Sequence, residues 1–249
     1  MAGFNSPTPH LFAHRGGNAA GGHENTISAF EAAVKLGYKF LETDVIATKD
    51  SQVVTYHGSA NLIMKLIFGL EIRRKVQQLS YEQFNDRIDI GGEAVPKLQD
   101  VLSRFKEQSF CIDVKTDQAV EPLVELIKRH NAKSRVVITS FKKRRSIRAS
   151  KLLHGDSFTD ACLCVYRIQG LMISFFPTIA IARLKKQGFG YIHIPYKCVT
   201  KRLLKEAKRQ NFIVYAWTVN KEDEINKLLS WKIDGIISDE AELLVNLNK

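Results

Sequence analysis

Short apolar runs alternate with amphipathic stretches along most of this sequence. Runs such as Phe40–Val45 and Tyr191–Pro195 are dominated by residues typical of buried β-strands. Segments such as Val120–His130 carry apolar residues three and four positions apart, which predicts helices that pack by one face. Strands that alternate with helices in this way are typical of a parallel sheet with helical crossovers.

The pattern gives nine strand candidates, each bounded by turn or helix signals. They are His10–His14, Phe40–Val45, Val53–His57, Phe110–Lys115, Arg135–Ser140, Ala161–Val165, Tyr191–Pro195, Phe212–Val219 and Gly235–Ser238. A chain of 249 residues suits a single (β/α)8 barrel, which has one strand fewer. We therefore predict an α/β protein with a (β/α)8 TIM barrel over residues 1–249. We expect the run at Ala161 or the run at Val53 to lie outside the barrel.

Two apolar segments do not fit the alternation. Residues 58–95 are too long for an ordinary loop, so we predict a small insertion with its own helices after the third strand. It contains the apolar patch Leu62–Phe68. The second segment, Ile168–Ala182, is too short to span a bilayer and contains a proline, which predicts a core or interfacial helix. For both segments we expect packing in the core.

Polar side chains cluster where the predicted strands end. All strands of a barrel end on one face, so these side chains should converge on a single pocket. They are His14, Arg15, Glu42, Asp44, His57, Asp113, Lys115 and Trp217.

Three of these residues suit a metal ion. Glu42 and Asp44 are two positions apart on one strand and so share a face, where two carboxylates repel unless a positive charge lies between them. Asp113 supplies a third oxygen ligand from another strand. Oxygen donors of this kind favour Mg²⁺ or Ca²⁺.

The other five suit phosphoryl transfer. His14 and His57 could act as an acid–base pair, because imidazole titrates near neutral pH. Arg15 and Lys115 could hold a phosphate, the first by a bidentate fork and the second as a point charge. Trp217 could form an apolar wall for the substrate or a platform for a cationic headgroup.

The overall charge favours anionic partners. The formal net charge is +11, which suits phosphate-bearing substrates, an anionic membrane surface or nucleic acid. Nucleic-acid binding would depend on the basic run Lys142–Arg145, which lacks aromatic partners and is more typical of a solvated helix face. No nucleic acid is therefore expected. The four cysteines have no zinc-type spacing, and the first ten residues lack a signal-peptide pattern, so we expect a cytoplasmic protein.

The motifs together resemble the glycerophosphodiester phosphodiesterase family. They are His14-Arg15-Gly16-Gly17, Glu24-Asn25-Thr26, Glu42-Thr43-Asp44-Val45, Tyr56-His57, Ile112-Asp113-Val114-Lys115, Trp217-Thr218-Val219-Asn220 and Asp234–Asp239. The resemblance implies a TIM barrel with a small insertion and a Mg²⁺- or Ca²⁺-dependent phosphoric diester hydrolase. Such an enzyme cleaves a glycerophosphodiester to sn-glycerol 3-phosphate and an alcohol.

By motif, the resemblance assigns acid–base roles to His14 and His57 and phosphate contacts to Arg15 and Lys115. It assigns the metal to Glu42, Asp44 and Asp113, and Glu24 is expected to act only indirectly.

Two positions depart from the family pattern. His57 is followed by Gly58 where aspartate is usual, and Asp113 stands where glutamate is frequent. Related phospholipase D-type enzymes also use aspartate there, so a lysophospholipid or sphingolipid phosphodiesterase acting at a membrane surface is the alternative. The basic surface and the apolar segments would suit peripheral membrane contact. A catalytically inactive barrel that binds anionic headgroups has only Gly58 in its favour.

Overall fold

The protein is described here from a computed structural model, which covers residues 4, 9–17, 23–57, 76–88, 90–156 and 160–246. Nine β-strands lie in these ranges. They are β1 (His10–Ala13), β2 (Phe40–Ala47), β3 (Val53–Thr55), β4 (Ser109–Val114), β5 (Val136–Ser140), β6 (Ala161–Cys164), β7 (Phe189–Pro195), β8 (Ile213–Trp217) and β9 (Gly235–Ser238).

Ten α-helices lie in the same ranges. They are α1 (Ile27–Lys35), α2 (Tyr81–Asn85), α3 (Leu98–Arg104), α4 (Val120–Arg129), α5 (Lys143–His154), α6 (Arg167–Phe175), α7 (Pro177–Lys186), α8 (Lys201–Arg209), α9 (Glu222–Ser230) and α10 (Ala241–Asn246). Short 3-10 turns follow β1 at His14–Gly16 and β7 at Tyr196–Cys198.

Eight of the strands close into a parallel barrel. The hydrogen-bonded order is β1-β2-β4-β5-β6-β7-β8-β9, and β9 pairs with β1 again. Sequential neighbours are joined by helices, because parallel strands need a crossover. The predicted (β/α)8 barrel is confirmed.

β3 lies outside the barrel. It pairs antiparallel with the end of β2, where Val45 is opposite Thr55 and Ala47 is opposite Val53. Of the two runs expected to lie outside the barrel, the one at Ala161 forms barrel strand β6. The one at Val53 forms β3 and lies outside. A run of three β-branched residues has the same appearance in a sequence whether its strand is parallel or antiparallel.

Alternate positions of each barrel strand face two different cores. The inward positions near the start of the strands form an aromatic cluster, and the outward positions pack beneath the helices. The inward set is Phe12, Phe40, Cys111, Val137, Cys162, Tyr215 and Ile237. Farther along the same strands the inward positions become polar, and this change creates the pocket described below.

Part of the predicted insertion is described. Residues 76–88 and 90–95 include α2, whose Ser80 cap forms a reciprocal capping box with Gln83. Phe84 and Val95 pack with Ile46 and Val54 in a small cluster beside β3. Gly58 and the apolar patch Leu62–Phe68 lie outside the described residues. The single-domain organisation stays a prediction.

The second apolar segment differs from expectation. Residues 167–186 form α6 and α7, which are separated at Phe176 by the proline that begins α7. The expectation that the apolar side chains of this segment pack in the core is wrong, because Ile168, Phe175 and Ile179 are exposed. In the ranges described above, no helix combines the length and the apolar character that a membrane crossing needs.

Candidate active site

The His14–Gly17 turn places two predicted site residues at the end of β1. Arg15 lies in the left-handed region, with a φ angle of 55°. A Cβ atom at Gly16 would approach the Cβ of Ala29 to 2.7 Å, and one at Gly17 would approach the Cβ of Ala241 to 2.8 Å. The turn therefore needs glycine at both positions, since α1 and α10 pack against its backbone.

Asn25 fixes the second strand relative to this turn. Its backbone N–H donates to Arg15 O at 2.8 Å, and its side-chain oxygen accepts from Thr43 Oγ1 at 2.7 Å and from the Asp44 N–H at 3.3 Å. The following residue, Thr26, caps α1 by accepting from the Ala29 N–H. The Glu24-Asn25-Thr26 stretch thus holds the ends of β1 and β2 together.

One pocket of about 560 Å³ opens at the C-terminal ends of the barrel strands. All eight predicted site residues line it, from five different strand ends. Additional lining residues that the sequence pattern did not identify include Phe141, Arg145, Tyr166 and His193. The predicted convergence on a single pocket is therefore observed.

Two cations neutralise the carboxylates of β2 and β4. The Lys115 Nζ lies 2.6 Å from Asp44 Oδ1 and 2.5 Å from Asp113 Oδ2. The Arg15 Nε lies 2.8 Å from the other oxygen of Asp44. Burial alone would raise the pKa of Asp44, but Lys115 and Arg15 hold it well below its usual range. Asp44 is therefore ionised at neutral pH.

Glu24 contacts a predicted phosphate ligand and a predicted catalytic histidine. Its Oε2 accepts from Arg15 Nη1 at 2.6 Å, and its Oε1 lies 3.9 Å from His57 Nδ1. Glu24 is outside the pocket lining and contacts two of its lining residues. Its indirect role stays a prediction.

The two histidines have different electrostatic environments. Burial lowers the pKa of His57 to about 4. The charge of Asp44 acts in the opposite direction, but the positive charges of Arg15 and Lys115 offset much of its effect. Burial would also lower the pKa of His14, but Glu42 and the hydrogen bond with Asp239 raise it above its ordinary value. At neutral pH His57 is neutral, and His14 retains its proton to a higher pH.

Asp239 holds His14 through a contact 225 residues apart in the chain. His14 Nδ1 lies 2.6 Å from Asp239 Oδ1, and Asn220 Nδ2 donates to Asp239 Oδ2 at 2.7 Å. The Asn220 side-chain oxygen in turn accepts from the Asp239 N–H at 3.0 Å. Asp239 therefore orients the His14 ring. The signal for it in the sequence is its position directly after β9, the last strand.

The three predicted metal-binding carboxylates lie on two neighbouring strands, β2 and β4. Asp113 is directly opposite Asp44 in the β2–β4 ladder, and Glu42 faces the same interior two positions earlier. Burial and the charge of Asp44 raise the pKa of Glu42 to about 7, so this carboxyl lacks sufficient positive charge nearby. The donor chemistry therefore fits a hard divalent cation. Lys115 bridges Asp44 and Asp113, however, and among the described residues no three His, Cys, Asp or Glu side chains are grouped closely enough to hold an ion.

Aromatic residues that follow β5 and β6 and end β8 form one wall of the pocket. The Phe141 ring contacts Trp217 edge-on at 5.6 Å between centroids and stacks on Tyr166 at 4.4 Å. The indole N–H of Trp217 is buried and has no hydrogen-bond partner in the described part of the chain. This wall leads from the pocket interior to Tyr166, which is largely exposed.

Arg145 supports the wall side of the site from the basic run. Its guanidinium donates to the backbone carbonyls of Val114 and Lys115 at 3.2 and 2.5 Å and to Asp117 Oδ1 at 2.7 Å. Arg144 and Arg148 also form ion pairs with acidic side chains near α4. This run is therefore used for internal contacts, and through Arg145 it fixes the backbone that carries Lys115.

A barrel with two histidines, three carboxylates and two cations at its strand ends has the features of a phosphoryl-transfer hydrolase. The sequence profile of the Glycerophosphoryl diester phosphodiesterase family matches residues 14–243. A Mycobacterium tuberculosis protein described as a probable glycerophosphodiester phosphodiesterase 2 is 32% identical, over 98% of this chain and 95% of its own. The chain therefore belongs to the glycerophosphoryl diester phosphodiesterase family, and the predicted enzyme class is confirmed.

Two further proteins show the breadth of the similarity. The human lysophospholipase D GDPD1 is 26% identical, over 91% of this chain and 82% of its own. An Oleispira antarctica phosphodiesterase, solved with the product sn-glycerol-3-phosphate, has a TM-score of 0.70 at 20% identity and covers 96% of both chains. At that identity the second comparison supports the fold alone.

Proposed function

We propose that this enzyme hydrolyses glycerophosphodiesters to sn-glycerol 3-phosphate and an alcohol, with His14 and His57 as the acid–base pair. The observation that carries the proposal is the difference between the two histidines, since the pKa of His57 is lowered to about 4 and that of His14 is raised, within a pocket that also contains Arg15 and Lys115. Two titratable groups with separated pKa values suit an acid and a base in one reaction.

The proposed steps divide the proton transfers between the histidines. His57 accepts a proton from the water that attacks phosphorus, because its imidazole is neutral. His14 donates the proton that the departing alcohol oxygen needs, and Asp239 stabilises the imidazolium before the transfer. Each transfer contributes on the order of 10²- to 10⁴-fold to the rate.

Arg15 and Lys115 are proposed to bind the phosphate. Both pKa values are raised by neighbouring carboxylates despite burial, so both side chains remain cationic. In this role the Lys115 ammonium contacts the substrate phosphate in addition to Asp44 and Asp113. Positive groups that are already in place stabilise the charge that develops on the phosphate oxygens.

We propose that Glu42, Asp44 and Asp113 hold a divalent cation, Mg²⁺ or Ca²⁺. The raised pKa of Glu42 and the pairing of Asp44 with Asp113 support this set. When bound, the cation supplies positive charge to the phosphate and to the attacking oxygen. A cytoplasmic location is also proposed, supported by four buried thiols that form no disulfide.

A lysophospholipid phosphodiesterase of the phospholipase D type is the second candidate. The specific observation in its favour is the aromatic wall of Trp217, Phe141 and Tyr166, which would accommodate an apolar extension of the glycerol. The human relative named lysophospholipase D supports the same substrate class.

The experiment that tests the proposal offers glycerophosphocholine and lysophosphatidylcholine separately, with Mg²⁺ or Ca²⁺ present, and resolves the products by ³¹P NMR. Formation of sn-glycerol 3-phosphate from glycerophosphocholine supports the first candidate. Faster formation of a lysophosphatidic acid or its cyclic phosphate favours the second. Phosphocholine as the product would contradict both, because the bond to the glycerol would then have been broken.

A further inference from the structure

Helices α6 and α7 carry a concentrated apolar surface. We call it the α6–α7 face and define it by Ile168, Met172, Phe175, Phe176 and Ile179, whose side chains are between 65% and 74% exposed. In the described ranges, Leu152 is the sole exposed large apolar side chain outside the stretch from Tyr166 to Ile179. Apolar residues scattered singly need no explanation, but a contiguous group of this size indicates a partner.

The orientation of α6 is the reverse of that expected for a helix in water. Its small residues Gly170 and Ser174 face the protein, and its large apolar residues other than Ile173 face outward. A Cβ at Gly170 would lie 3.1 Å from the Cys198 side chain, and the Ser174 hydroxyl donates to the Cys198 carbonyl. The small residues thus allow close packing, which holds the apolar side outward.

The stretch of sequence that carries the α6–α7 face has no acidic residue, and Glu206 of α8, which contacts Thr178 on α7, is paired with Arg209. Between Asp160 and Glu206 the sequence has no acidic residue and eight Lys or Arg residues. Arg167 and Arg183 are exposed on the same two helices. A second copy of the chain would bring together two surfaces rich in Lys and Arg, so the charge favours an anionic partner.

The face also lies at the end of the barrel where the pocket opens. Tyr166 precedes α6 directly and lines the pocket, where its ring stacks on Phe141. The Cys198 contact attaches α6 to the turn that follows β7, which is also at the C-terminal end of the barrel. A flat partner on this face would therefore lie beside the pocket mouth.

We propose that the α6–α7 face docks the enzyme on a bilayer that contains anionic lipid. The apolar side chains enter the boundary between headgroups and acyl chains, and the surrounding Lys and Arg residues contact lipid phosphates. The docking turns the pocket mouth towards the lipid. This goes beyond the proposed reaction, and binding to lipid needs no catalysis.

The test measures sedimentation of the whole chain with vesicles of phosphatidylcholine alone or with a quarter of phosphatidylglycerol. The double variant Phe175→Ser, Phe176→Ser removes the apolar contact without touching the buried core. Leu152→Ser is the matched control, because it removes an exposed apolar side chain elsewhere. We expect the double variant to bind the anionic vesicles at least about 10-fold more weakly than wild type, and the control to bind equally.

A second pair of variants tests the charge. Arg183→Gln should weaken binding to the anionic vesicles by about five-fold and leave binding to phosphatidylcholine unchanged. Lys128→Gln on α4 removes an exposed cation outside the region and should have no effect. Equal binding by the Phe175 and Phe176 double variant and wild type would overturn the proposal. The proposal would also be overturned if wild type did not bind vesicles but formed a dimer that dissociates in the double variant.

Turnover of glycerophosphocholine separates this proposal from the proposed reaction. The double variant should retain wild-type turnover of this soluble substrate, because neither phenylalanine lines the pocket. If wild type binds the anionic vesicles through this face but does not hydrolyse glycerophosphocholine, the docking surface is supported and the proposed reaction fails. If it hydrolyses the substrate but does not bind the vesicles, the docking surface fails.

Discussion

Replacement of Asp239 by asparagine tests the role of His14 without removing the histidine. Asparagine has nearly the same shape as aspartate, so the backbone N–H of residue 239 can still donate to Asn220, while the negative charge beside His14 Nδ1 and the acceptor for the Asn220 amide are lost. The 2.6 Å hydrogen bond from His14 then has a neutral partner. His14 should be less firmly oriented and should release its proton more readily.

The magnitude follows from the type of hydrogen bond. A hydrogen bond with a charged partner contributes roughly 1.5–3 kcal/mol. Because about 1.4 kcal/mol corresponds to a tenfold change in rate, complete loss in the transition state would lower kcat by about 10- to 150-fold. Loss of the general acid altogether costs on the order of 10²- to 10⁴-fold, so Asp239→Asn should be milder than His14→Ala.

The pH dependence gives a readout that a purely structural role would not change. Asp239 raises the pKa of His14 in the wild type, through both the hydrogen bond and its charge. Without that charge His14 loses its proton at a lower pH, so the basic limb of the kcat–pH profile should move to lower pH. The assay measures choline released from glycerophosphocholine across the pH range.

Glu240→Gln is the matched control for Asp239→Asn, since it removes the neighbouring, exposed carboxylate. It should leave both kcat and the basic limb unchanged. An unchanged limb in Asp239→Asn, or the same shift in the control, would refute the reasoning about His14.

Three further predictions follow from other contacts. Arg15→Lys keeps the charge but loses the fork, so kcat/KM for glycerophosphocholine should fall by about 10-fold or more, and wild-type kcat/KM would exclude Arg15 as a phosphate ligand. EDTA should abolish activity and Mg²⁺ or Ca²⁺ should restore it. Calorimetry should show that Asp113→Glu binds the ion more tightly than Asp113→Ala. Full activity without metal would contradict the assignment of the three carboxylates to a metal ion. Arg135 is buried and donates to three backbone carbonyls, so Arg135→Met should lower the free energy of unfolding in urea by about 3 kcal/mol, and a loss below about 1 kcal/mol would contradict this.

The pocket could be predicted because parallel strands impose a common direction. Once Glu42, Asp113 and Trp217 were each placed at a strand end, closure of the barrel brought them together without any knowledge of their contacts. The same logic applies to Asp239 after β9. Its partner His14 is 225 residues away, and only the closure of β9 on β1 reveals that the two side chains meet.

The orientation of α6 could not be predicted from its composition. Apolar residues in a helix are normally predicted to be buried, so Met172 and Phe175 would be expected to face the core. The direction is decided by Gly170 and Ser174, whose small size permits close approach to Cys198. Which side of a helix is packed depends on the shape of the surface beneath it, and periodicity alone does not contain that information.

The sequence pattern left β3 as one of two candidates for the strand outside the barrel and did not give its direction. Its residues Val53–Thr55 are all buried, like those of a barrel strand. Val54 is covered by Val95 and Phe84 from the segment that follows, whereas Val53 packs in the main core. Strand direction is set by these tertiary contacts.

The turnover of His14→Ala and His57→Ala tests the central claim most directly. Both variants would be compared with wild type and with His130→Ala, which removes a histidine outside the pocket, using glycerophosphocholine and ³¹P NMR. We predict that each pocket variant loses about 10²-fold or more in kcat while its melting temperature barely changes, and that His130→Ala remains active. Near wild-type kcat in either pocket variant would contradict the assignment of that histidine to acid–base catalysis.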